Sequence, residues 1–170
     1  MLGRAAADQR EAAGVLLERV LPLLEGVVAR LPDDVELLTA ISDAIPYPSA
    51  ALAEADLAVT RRIVRILPVG DRALRARWLS SLGVRLSQTG RRAQALQVTQ
   101  EAVEIHRELA AAYPGRYQPG LAAALSNLAV RISELGRPAE ALPPEQEAVD
   151  IYQELAAIYP DRYQSGLGRV

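Results

Sequence analysis

"LSSLGVRLSQTGRRAQALQVTQEAV" (79–103) and "LSNLAVRISELGRPAEALPPEQEAV" (125–149) are two versions of one pattern, 46 positions apart. Extended without a gap over 76–121 and 122–167, the two rows are identical at 28 of 46 positions. Self-similarity at a fixed spacing is the mark of a repeat architecture. Leu79, Leu82 and Leu86 step by three and four residues, which puts them on one face of a helix. Gly90 then interrupts, and Ala95, Ala102, Val103 and Leu109 resume the helical period. Each unit therefore reads as helix, turn, helix, with Gly90 or Gly136 as the stop. Pro138 suits the first turn of the helix that follows. Alanine at 95, 102, 141 and 148 lets the two helices of a hairpin approach closely.

A lone hairpin of this kind cannot bury its apolar face, so it stacks on a neighbour. The phrases "AAYPGRYQPG" (111–120) and "AIYPDRYQSG" (157–166) recur between the units. They read as links: Pro114 stops one second helix, and Gly120 lies just before the next first helix. Tyr113 and Tyr117 are expected to pack across that joint. The second helix of the first unit is expected to run to about 112.

Composition agrees with an all-α chain. Of 170 residues half are apolar, with no Phe and no Cys. Ala and Leu lose least on entering a helix. Without cysteine there is no disulfide, thiolate metal site or thiol nucleophile. All 19 basic residues are arginine. The net charge of −2 does not suit a general binder of nucleic acid or of anionic membranes. No run of eighteen apolar residues marks a membrane span. "MLGRAAADQREAAG" lacks the apolar core of a secretory signal, so a cytoplasmic location is the expectation.

The repeated unit resembles the tetratricopeptide repeat. Leu79, Leu82-Gly83, Leu86, Gly90, Ala95 and Ala102 stand at that family's pattern positions. In the second copy these are Leu125, Leu128-Ala129, Ile132, Gly136, Ala141 and Ala148. The spacing of 46 exceeds the family's usual 34 and looks like the long-helix variety of actinobacterial signalling proteins, with some likeness to kinesin light chains. The resemblance implies helical hairpins stacked as a right-handed solenoid and a scaffold for a protein or peptide partner, with no cofactor. The other reading is a sensor arm of a larger signalling enzyme, such as a signal-transduction ATPase or a protease-linked switch, with its catalytic domain elsewhere.

The resulting organisation is one array. Residues 1–32 form N-terminal helices or a cap, with a break near Pro22. Residues 33–75 form a degenerate repeat with a short first helix at 33–43, and "IPYPS" (45–49) stands where the glycine turn would be. Repeats follow at 76–121 and 122–166, and 167–170 resemble the start of a further repeat. The last full helix is expected to present Val149, Tyr152, Leu155 and Tyr159, with Ile151 and Ile158 beside them, to a following unit or to a second copy. Pro143 and Pro144 fall inside that helix, where a kink or a restart at 143 is expected.

Candidate sites are few. His106 is the single histidine, and its repeat-mate is Tyr152, so the position does not demand imidazole. One histidine without cysteine makes a poor metal site. Glu101, Glu104 and Glu108 share a helix with Arg107 at ion-pair spacing. There is no phosphate-binding glycine loop and no nucleophile elbow. The family resemblance places a partner groove on the first helices. In the first unit its positions are Arg77, Ser80, Val84, Ser87 and Gln88. In the second they are Ala123, Ser126, Asn127, Val130, Ser133 and Glu134. These side chains are small and mostly uncharged, and the family's basic clamp for a terminal carboxylate is not evident. A second candidate is a basic docking segment, Arg61, Arg62, Arg65, Arg72 and Arg75, set against an acidic stretch at 138–161.

Overall fold

The computed structural model describes residues 26–45 and 52–160, and these are helices joined by turns, with no strand among them. The chain divides into two compact units, Met1–Ile66 and Leu67–Val170. The break expected near Pro22, most of "IPYPS" and the start of a further repeat at 167–170 lie outside the described residues.

In the first unit, α1 (Val35–Ala44) packs on α2 (Ala53–Ile66). Asp34 starts α1 by accepting from the amides of Glu36 and Leu37 at 2.9 and 3.1 Å. That contact satisfies two of the donors a helix start leaves open. Leu38, Leu57, Val59 and Ile63 are buried. Ser42 and Asp56 are buried with them, and the Ser42 hydroxyl donates to Asp56 Oδ1 at 3.1 Å.

The second unit holds α3 (Arg72–Gln88), α4 (Arg92–Ala112), α5 (Pro114–Glu134) and α6 (Pro138–Ile158). Each helix packs on the next, and α3 also touches α5. These are two hairpins in a stack. Corresponding helix ends fall 46 positions apart, at 88 and 134, 92 and 138, 112 and 158. Gly90 and Gly136 close α3 and α5 at φ +77 and +76, a conformation in which any Cβ is strained. The Arg91 amide reaches the Leu86 carbonyl at 2.8 Å and the Gly90 amide reaches Ser87 at 2.9 Å. Together these form a Schellman end.

The alternation of large and small residues sets the packing. Leu79, Leu86 and Leu125 are at most 2% exposed, and Ala95, Ala102, Ala141 and Ala148 are equally hidden. Burying one such leucine contributes about 1.5–3 kcal/mol. Val103, Ala110, Leu121, Ala124, Leu125 and Ala148 form one core cluster, with Tyr117, Leu128 and Ile151 against it.

Three expectations need correction. The phrase "PGRYQPG" is not a link, because α5 begins at Pro114 and Tyr113 alone joins α4 to α5. Tyr113 turns the chain with φ −141, and its carbonyl accepts from the Arg116 and Tyr117 amides at 3.1 Å. Proline at the first helical position is pre-set for this, having no amide to leave unpaired. Second, α6 runs unbroken through Pro143 and Pro144, with no restart at 143. Third, Leu155 is not presented outward: it is 2% exposed, in a stripe with Ala141 and Ala148 seven residues apart. Ile158 and Tyr159 are exposed, whereas Val149, Ile151 and Tyr152 are half-buried.

Candidate functional site

The two first helices, α3 and α5, lie side by side, with a polar contact between them at their C-terminal ends. Ser87 donates its hydroxyl to Glu134 Oε2 at 2.6 Å. Glu134 also has Arg131 Nε at 3.4 Å, close enough for ion pairing although the N–H is not well aimed for a hydrogen bond. Arg131 is only 8% exposed. A buried guanidinium of this kind needs a nearby anion, because its lost hydration is otherwise uncompensated.

Reading by spacing did not single out Arg131 or its repeat-mate Arg85. The signal was present: "VRL" and "VRI" stand at the same place in both units. Arg85 donates through Nη1 to the Ser81 carbonyl at 3.3 Å, one turn back on its own helix.

The groove positions assigned from sequence divide by exposure. Arg77, Gln88, Ala123, Val130 and Ser133 are exposed, Val130 at 46%. Ser80, Val84, Ser87, Ser126, Asn127 and Glu134 are half-buried. The Ser126 hydroxyl donates to the Ala122 carbonyl at 3.1 Å, while Ser80 Oγ is buried with no hydrogen-bond partner. The structure thus brings Ser87 and Glu134 into direct contact.

The arginines of the second candidate are engaged within their own units. Arg62 reaches Asp33 Oδ1 at 2.7 Å and donates to the carbonyls of Val28 and Leu31, so it closes the end of the helical turn at 26–30. Arg65 lies 3.7 Å from the same carboxylate. In the second unit Arg75 meets Glu101 at 2.9 Å and Arg72 pairs with Glu108, both joining α3 to α4. These four arginines have acidic neighbours in their own fold, and Arg61 beside them is exposed. On the acidic side, Arg107 on α4 reaches Glu147 on α6 at 2.7 Å, and Arg137 pairs with Glu140.

His106 sits at the joint between α4 and α5. Burial alone holds its pKa below the usual 6.5, and its Nδ1 is buried without a partner. Among the described residues no group of three or more His, Cys, Asp or Glu side chains is arranged to hold a metal ion. No helix among them is long and apolar enough to cross a membrane. Tyr113 and Tyr117 meet edge to face with centroids 6.4 Å apart, and Arg116 lies 5.2 Å over the Tyr117 ring.

Residues 75–110 and 121–156 each match the family model of the tetratricopeptide repeat. The two matches fall on the hairpins α3–α4 and α5–α6, and these hairpins are tetratricopeptide repeats. Repeats of this family serve as protein-interaction modules. Among curated proteins, none matches the chain.

Proposed function

We propose that this tetratricopeptide-repeat protein is a non-catalytic scaffold whose polypeptide partner docks along the paired first helices α3 and α5. The observation that carries the reading is the direct contact between those helices through Ser87 and Glu134. On this reading Arg77, Ser80, Val84 and Gln88 of α3 form one docking face with Ser126, Asn127, Val130 and Ser133 of α5. A partner laid on that face gains apolar contact at Val84 and Val130 and hydrogen bonds at Asn127 and Ser133. Arg72, Arg75 and Arg107, by contrast, already pair with Glu108, Glu101 and Glu147 on other helices and contribute little to a stranger. No group in this reading performs covalent chemistry. The cytoplasm is the compartment we assign, on the soluble composition of the chain.

The test uses the full chain as bait. A partner recovered by the native protein should be lost by Val84→Glu and weakened by Asn127→Ala, with circular dichroism unchanged. Retention of the partner by both variants would place docking elsewhere.

A further inference from the structure

We infer that the arginine corner of the first unit takes the outer acidic ridge of α6 from a second copy of this chain. Arg61, Arg62 and Arg65 stand on α2 and line, with Val28, Ala29 and Ala58, a cavity of about 390 Å³. Arg62 donates to Asp33 Oδ1 at 2.7 Å, and Arg65 lies 3.7 Å from that same oxygen. One carboxylate thus serves two guanidinium groups, and the side chain of Arg65 remains 70% exposed. The corner is concave and positive. Arg61 and Arg65, both exposed, stand one helical turn apart on it.

The second unit supplies the complement. Residues 138–161 hold six acids and no arginine. Glu140 pairs with Arg137, and Glu147 with Arg107. Asp150 and Glu154 are exposed, again one turn apart, and Asp150 accepts from Gln146 at 2.8 Å. Residues four apart rise about 6 Å along a helix, so the spacing of these two acids matches that of Arg61 and Arg65. Ala157 beside them is exposed and short, which leaves the carboxylates standing proud of the helix. Seating this ridge against α2 sets Asp150 and Glu154 against the two arginines, and Val28, Ala29 and Ala58 take the stems of the acidic side chains. Every copy carries both halves, so the contact joins copies head to tail unless two of them close on each other. Exposed ion pairs are individually weak and screened by salt. The association therefore belongs to high protein concentration and low ionic strength.

Static light scattering on the full chain tests this. In about 20 mM salt the average mass should rise with concentration above about 100 µM, and in about 1 M salt, where the screening length is about 3 Å, it should return to that of the monomer. Arg61→Glu with Arg65→Glu should abolish the rise. So should Asp150→Arg with Glu154→Arg, although the two pairs of substitutions move the net charge in opposite directions. The protein carrying all four should associate again. Circular dichroism should stay native throughout, the four positions being exposed. A monomer at every concentration and salt would overturn the inference. So would association that strengthens with salt, that survives either pair of substitutions, or that the fourfold variant fails to recover.

Discussion

The imidazole of His106 on α4 rests directly against Gly120 on α5: a Cβ at 120 would lie 2.9 Å from Cε1 and 3.0 Å from Nδ1. Glycine in a helix ordinarily costs about 1 kcal/mol relative to alanine. Here the close approach reverses the preference. Gly120→Ala should be destabilising, because overpacking costs about 1–3 kcal/mol. After the propensity gain, the net loss should be at most about 2 kcal/mol. In a chain of this size each kcal/mol lowers the melting temperature by about 2–4 °C. In a His106→Ala background the same change should instead stabilise. A double-mutant cycle by urea denaturation measures the coupling, and additive effects would show that the two residues do not meet.

The same imidazole makes stability depend on pH. His106 is held below 6.5 by burial, so the folded chain binds its proton less readily than the unfolded chain does. The stabilising contribution is complete above the unfolded value. It falls as pH drops through 6.5 and continues to fall to the lower folded-state value. The urea midpoint of the native protein should therefore fall faster between pH 7.5 and pH 5 than that of His106→Gln. Parallel curves for the two proteins would mean that the ring is solvated when folded.

Much of this architecture was legible because repetition doubles each signal. The stop at Gly90 was readable because Gly136 repeats it, and both adopt positive φ. The end of α4 at Ala112 follows from uninterrupted periodicity up to a proline. Pro114 was misread because proline carries two meanings: it cannot continue a helix, and it is a favoured first residue of one. What decides between them is the non-helical backbone of Tyr113, a single residue on which one helix ends and the next begins. The core was read from aliphatic spacing, but Arg131 was not, since a charge on a helix normally counts as surface. Its burial depends on Glu134 beside it and on the neighbouring helix, a tertiary fact. The ion pairs of the basic segment are tertiary in the same way, with Asp33, Glu101 and Glu108 distant in sequence or on another helix.

Pro143 and Pro144 occupy the sixth and seventh positions of α6, beyond the turn where a missing amide is harmless. Neither can donate to the carbonyl four residues back, at Ala139 or Glu140, and each ring crowds that carbonyl. A helix-interior proline costs about 3 kcal/mol. The helix persists because Ala141, Ala148 and Leu155 anchor it on both sides. Replacing the pair with Gln and Val, the residues at Gln97 and Val98 in the first unit, should raise the melting temperature by several degrees. An unchanged or lower value in calorimetry would show that the backbone has adapted to the prolines.

Glu134 joins the two repeats electrostatically, and its removal should reach further than its exposure suggests. Its side chain is 29% exposed, against 9% for that of Arg131. Losing the Ser87 hydroxyl removes one hydrogen bond to a charged acceptor, about 1.5 kcal/mol before solvent is allowed for. Glu134→Ala removes that bond and also strands the Arg131 cation in a nearly closed site. Breaking a fully buried pair costs about 3–5 kcal/mol, and partial exposure of the carboxylate should reduce this to about 2–3 kcal/mol. The order of destabilisation should thus be Glu134→Ala above Ser87→Ala. Once Arg131→Met has removed the charge, Glu134→Ala should cost little more than Ser87→Ala, because only the hydroxyl contact remains to be lost. Chemical denaturation of the native protein and these four variants decides it. Equal losses from Glu134→Ala with and without Arg131 would show that the guanidinium is satisfied by water rather than by the carboxylate.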